Sequence, residues 1–140
     1  MTMKRNFAIV LIILVTFSGC QILKPQPDED MFAAAASMKR LSASVESSAR
    51  YKDIPADLKD YDLLVKATEN NPRLLNGFEN YLLKAIIINK HSIVLMCDLK
   101  GERALIEDTG CTGEVDVLHW QNNTPKPCDF TIDVSVVCVN

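Results

Sequence analysis

Apolar side chains recur every three or four residues from Met31 to Val45, through Ala34, Met38 and Leu41, in a stretch rich in Ala and Ser and free of Gly and Pro. That spacing puts them on one face, and the composition favours helix locally, so the pattern predicts a helix over 31–50. The same alternation marks a short coiled-coil seam. Met31, Met38, Leu41 and Val45 are therefore candidates for self-association or partner docking, against packing on the chain's own domain. A second helix is signalled at Asp53, a good N-cap with Pro55 tolerated in the first turn. Leu58, Tyr61, Leu64, Val65 and Thr68 then share a face. It should stop at Asn70-Asn71, because Pro72 disfavours helical geometry in the residue before it. Asn71 and Pro72 then read as the cap and first residue of a third helix. Leu74, Leu75, Phe78, Tyr81, Leu82, Ala85 and Ile86 give the clearest helical period in the chain, weakened slightly by Gly77.

After Lys90 the period shortens to two. Ser92–Asp98 alternates, with Ile93, Leu95 and Cys97 on one side; Lys100-Gly101 marks a turn, and Arg103–Asp108 reads as a second strand. Glu114–Trp120 alternates again, 121–127 is a loop by composition, and Asp129–Cys138 is the strongest strand prediction, with Phe130, Ile132, Val134, Val136 and Cys138 facing one way. Helices followed by strands predict an α+β fold: about three N-terminal helices packed on a small C-terminal antiparallel sheet. The expected domain is 31–140, helical over 31–90 and stranded over 91–140.

The segment before it has another character. Lys4 and Arg5 precede the unbroken apolar run Phe7–Val15, and Ser18-Gly19-Cys20 follows. A positive start, a short apolar run and small residues at a cleavage point make an export signal, and the run is too short to span a bilayer. The cysteine directly after the small pair resembles the lipobox of bacterial lipoproteins. That resemblance, carried by residues 1–21, implies removal of 1–19, lipidation of Cys20 and membrane anchoring through the lipid. Gln21, where an Asp would favour inner-membrane retention, implies the outer membrane, with the domain facing the periplasm. Residues 20–30, with two prolines and a run of three acids, read as an extended tether.

Loss of Lys4 and Arg5 leaves 13 basic residues against 18 acidic ones, a net charge of −5. All of that imbalance falls on 98–140, in Asp98, Glu102, Glu107, Asp108, Glu114, Asp116, Asp129 and Asp133 against Lys100, Arg103 and Lys126. Nucleic acid is a poor partner for such a surface, since phosphate binding needs clustered cations. A basic partner, or a solvated face with none, fits better.

With Cys20 lipidated, Cys97, Cys111, Cys128 and Cys138 remain, and an oxidising compartment makes two disulfides the natural reading. No C-x-x-C pair is present, so zinc-ribbon and thioredoxin-like spacings are missing. A strand over 129–138 would hold Cys128 and Cys138 about 33 Å apart at about 3.3 Å per residue. A bridge needs Cα atoms within about 7 Å. In an up-and-down meander this selects Cys97–Cys128 and Cys111–Cys138, with Cys97–Cys138 and Cys111–Cys128 as the alternative.

Catalytic candidates are few. His119 could act as a base oriented by Glu107, Asp108 or Asp116, but no nucleophile motif accompanies it. His91 sits at the expected helix-to-strand junction. The carboxylates lack a calcium-loop pattern. Trp120, with Glu107, Asp108, Glu114 and Asp116, is the candidate partner contact, because Trp is enriched at binding centres. The reading that follows is a non-catalytic, lipid-anchored envelope accessory with no cofactor beyond its lipid. An exclusion or inhibitor lipoprotein is the alternative, and an envelope hydrolase using His119 comes third.

Overall fold

The computed structural model describes residues 27–139, Ala56 excepted. The expected signal peptide, Cys20 and most of the expected tether lie outside the described residues. The fold is α+β, in three layers: two helices, a three-stranded antiparallel sheet, and an irregular disulfide-linked segment over the far face.

Helix α1 (Pro27–Tyr51) begins four residues earlier than the seam predicts, so Pro27–Asp30 is its first turn rather than tether. Proline is tolerated there because its missing N–H falls among the donors that have no helical partner. Met38, Leu41 and Val45 are fully buried, alongside Ala35, in the main core. The seam is thus occupied by the chain's own sheet, which corrects its candidacy as a self-association face; Met31 lies partly buried at the margin.

Helix α2 (Asp60–Ala67) starts seven residues after the expected Asp53 cap. Its buried face is Leu63, Leu64 and Ala67, while Tyr61 and Val65 are exposed, so the predicted face is rotated. Asp60 explains the start. It takes a left-handed conformation (φ 51°) and its Oδ1 accepts a hydrogen bond from the Ala85 N–H at 3.2 Å, fixing the helix over the outer edge of the sheet. The Ser48 hydroxyl donates to the Ala67 carbonyl at 2.7 Å and joins the two helices.

The third helix is not formed. Pro72–Leu75 makes one 3₁₀ turn, and Tyr81–Ile88 is strand β1. Gly77, at φ +90°, breaks the helical path between them. Asn89 and Lys90 both adopt left-handed φ, the geometry of a tight two-residue hairpin turn that matches strand twist. They fold β1 back on strand β2 (His91–Asp98), Ile88 opposite His91 and Tyr81 opposite Asp98. Pairing along the whole of β2 overrides a period that suited either state, since branched Ile86, Ile87 and Ile88 also suit a strand.

Strand β3 (Ala104–Thr109) pairs antiparallel with β2, with a register irregularity at Met96/Cys97. Leu83, Ala85, Val94, Met96 and Ile106 join the helix-side core. Leu95, Cys97 and Ala104 pack with Cys128 and Phe130 in a second cluster. Strand β2 is consequently buried on both faces from His91 to Cys97.

The last two predicted strands are absent. Glu114–Trp120 makes one isolated backbone bridge to the sheet, where Val117 exchanges two 2.9 Å hydrogen bonds with Glu107, and a 3₁₀ turn follows at His119–Gln121. Asp129–Cys138 is a loop ending in the short helix α3 (Val134–Val137). Two competing interactions defeat the alternating pattern there. The Thr131 and Ile132 N–H groups donate to the Glu107 carboxylate, and Asp133 caps α3 by accepting from the Ser135 N–H at 2.9 Å.

Candidate functional site

Both histidines are buried, and each is hydrogen-bonded to a buried glutamate. On α1, Glu46 points at the start of β2. Its Oε1 meets His91 Nδ1 at 2.7 Å and accepts from Arg50 Nε at 2.7 Å; its Oε2 accepts from the Ser92 N–H at 2.7 Å and the Ser92 hydroxyl at 3.2 Å. Arg50 Nη2 lies 3.2 Å from the same imidazole nitrogen. The shorter contact to an acceptor-only carboxylate assigns Nδ1 as an N–H donor to Glu46. Burial alone would raise the Glu46 pKa, but the Ser92 N–H, Arg50 and His91 outweigh it and hold the carboxyl below its usual range.

This approach depends on Gly110. A Cβ there would collide with the Glu46 Cβ and the Ser42 carbonyl, so only glycine lets the chain leaving β3 pass so close to α1. Gly110 leads directly into Cys111, and the Cys111–Cys138 bridge is half-buried beside His91. Cys97–Cys128, by contrast, is buried. The connectivity is the one selected from sequence, although the strand that carried the elimination does not exist.

On the opposite face of the sheet, Glu107 is completely buried. Its Oε2 meets His119 Nε2 at 2.8 Å and accepts from the Thr131 hydroxyl at 2.6 Å, while Oε1 accepts from the Thr131 and Ile132 N–H groups at 2.7 and 2.9 Å. Of the three carboxylates proposed to orient His119, Glu107 is the one in contact. With four donors around it and no exposed surface, the carboxylate works as a crosslink between β3, the His119 turn and the 131–132 loop. The Thr131 hydroxyl, the nearest nucleophile type, is itself engaged by Glu107.

Adjacent residues on a strand point to opposite faces, and Asp108 accordingly faces α1. It is buried, its Oδ1 has no hydrogen-bond partner among the described residues, and the same holds for Ser42 Oγ. Burial first, and the charge of Asp116 second, push its pKa up to about 7, against weaker lowering by Ser42 and Lys39. Asp116 is held by the Thr109 N–H at 2.6 Å and by its hydroxyl at 2.5 Å.

These placements correct the expected partner surface. Glu107 and Asp108 are interior, Asp116 is partly buried and engaged, and Glu114 remains exposed. Asp98 accepts from the Glu102 and Arg103 N–H groups, and Asp133 caps α3, so much of the C-terminal acidity serves the fold. Trp120 is half-buried, with its ring edge-on to Phe32 at 5.3 Å and its indole N–H unpartnered among the described residues. The Glu46–Arg50–His91 group was missed in the sequence. Its one signal was an i, i+4 Glu–Arg pair on the apolar side of an amphipathic helix, where a charge needs a partner.

Away from these pairs, a largely apolar cavity of about 220 Å³ opens beside β1, lined by Tyr61, Leu75, Phe78, Tyr81, Leu82 and Leu83 together with the carboxylate-bearing Glu79. Among the described residues, no helix is long and apolar enough to cross a membrane. Comparison with protein-family models, curated proteins and solved structures finds no match to this chain.

Proposed function

We propose that this chain is a lipid-anchored protein of the bacterial outer membrane, whose domain faces the periplasm and acts by binding an envelope partner rather than by catalysis. The observation that supports it best is the use of cysteine. The four cysteines of the folded region are joined in two bridges. Export to an oxidising compartment accounts for those bridges, and the lipobox resemblance accounts for the fifth, Cys20. The cavity beside β1, with exposed Tyr61 and Leu82 at its rim, has the apolar lining and polar surroundings of a small binding site.

Mass spectrometry of protein extracted from membranes tests the anchor. The mature form should begin at an acylated Cys20, and Cys20→Ser should leave the protein unprocessed and free of acyl mass. An unmodified Cys20, or residues 1–19 still attached, would overturn the anchoring. Photocrosslinkers at Tyr61 and Leu82 in intact cells test the binding. They should capture one constant envelope protein, lost when Phe78 is replaced by Asp in a chain that still folds.

A further inference from the structure

The Cys111–Cys138 bridge lies against a third potential ligand. A ring nitrogen of His91 and both sulfurs fall within 4.8 Å of one another. Donors around a tetrahedral zinc, bonded at about 2.0–2.3 Å, sit about 3.5–3.8 Å apart. Once the sulfur–sulfur bond is broken, small side-chain movements therefore bring all three donors onto one ion. The Glu46 contact engages Nδ1, so the nitrogen left to bind a cation in the neutral imidazole is Nε2. A histidine whose second nitrogen donates to a carboxylate is the common outer arrangement of protein zinc sites.

The geometry points to a latent site for a thiophilic divalent cation, zinc foremost, made by His91, Cys111 and Cys138 when a dithiol opens their bridge. The dithiol loses two electrons and two protons and leaves as its own disulfide, while Cys111 and Cys138 each gain one electron and one proton. Binding of the cation then displaces both thiol protons to solvent. Charge favours a dication: two thiolates and the Glu46 carboxylate, less the Arg50 guanidinium that contacts Glu46 and His91, leave two negative charges for it to neutralise. The three protein ligands leave one tetrahedral position for water or an external group. Opening is directed to this bridge, because Cys111 is only partly buried whereas both cysteines of Cys97–Cys128 are buried.

Anaerobic titration with a dithiol, followed by zinc in competition with a colorimetric chelator, tests the site on the full folded chain. The oxidised protein should take up no zinc and the partly reduced protein one ion per chain. Bound zinc should shield Cys111 and Cys138 from iodoacetamide, as mapped by mass spectrometry. Glu46→Gln should weaken binding about 10–100-fold, and His91→Ala by at least as much. Cobalt in place of zinc should give tetrahedral bands and a thiolate charge-transfer band. If His91→Ala fails to fold, the shielding pattern and cobalt spectrum of the wild-type chain decide. Protection of Cys97 and Cys128 instead, equal affinity in Cys111→Ser, or uptake by the oxidised protein would each overturn the proposal.

Discussion

Glu46–His91 joins a helix to the first residues of β2, has an arginine within reach and lies beside a half-buried disulfide. Glu107–His119 joins β3 to two irregular segments on the other side of the sheet, has no Lys or Arg in contact among the described residues and is more deeply buried. The chemistry of the pairs is alike and their settings are opposite. A carboxylate surrounded by backbone donors in a closed layer serves as a fastener, since every lone-pair direction is filled. A carboxylate that steers one imidazole toward two sulfurs leaves a nitrogen available for further chemistry. The same two residue types therefore make a clasp in one layer and a poised ligand in the other.

The largest test of that contrast is Glu107→Ala, which strips a buried imidazole and two backbone N–H groups of their acceptor. It should destabilise the chain by about 3–5 kcal/mol in chemical denaturation, with hydrogen exchange rising first in 117–132. Removing either bridge by paired Cys→Ala substitution should cost about 2–4 kcal/mol. The two enclose similar sequence separations of 31 and 27, so an excess loss in the Cys97/Cys128 variant would measure its packing in the second core cluster. Gly110→Ala forces α1, through Ser42 and Glu46, away from the end of β3 and should cost about 1–3 kcal/mol, loosening the His91 side while His119 keeps its NMR shifts.

Asp108→Asn works in the opposite sense. The folded-state pKa of Asp108, about 7, lies above the ordinary 3.8. The native chain thus holds this proton more tightly than the unfolded one, and stability falls as pH rises between those values, then levels off above about 7. The variant should flatten that slope and stabilise the protein at pH 8, on the order of 1–3 kcal/mol. Glu46 carries the reverse sign: its lowered pKa contributes stability above about 4.5 that disappears as pH falls through the folded-state value. The smallest change is expected at Glu69, an exposed partner of Lys66 and Lys52, where Glu69→Gln should leave the denaturation midpoint unchanged within error.

Helix α1, β2 and β3 were legible because local preference and tertiary burial agree there: the seam is apolar on one side, and both strands alternate beside turn residues. The failures fall where a non-local partner outranked a local pattern. Leu74 to Ile86 fits a helical period, yet Asn89-Lys90 supplies a hairpin turn, and the adjoining half of that stretch pairs with β2. Asp129 to Cys138 fits a strand period, yet its backbone donors go to a buried carboxylate that only the folded sheet presents. The disulfide pairing survives for a simpler reason than strand length. Cys97 closes β2 and Cys111 follows β3, so antiparallel pairing sets them at opposite ends of one hairpin. Glu107 as the partner of His119 was within reach of sequence reasoning, because a lone histidine on an apolar strand needs a nearby acid. Glu46 and His91 were not, since nothing local links a helix to a turn 45 residues away.

The two bridges interlace: Cys111 lies inside the span closed by Cys97 and Cys128, and Cys128 lies inside the span closed by Cys111 and Cys138. A chain emerging from its amino end presents Cys97 and Cys111 together before either native mate has arrived. Shorter spans also close more readily. Early oxidation therefore favours neighbour-to-neighbour pairings that must later be exchanged through a free thiolate. Reduced chains should consequently regain both native bridges faster with a disulfide isomerase present than with an oxidant alone.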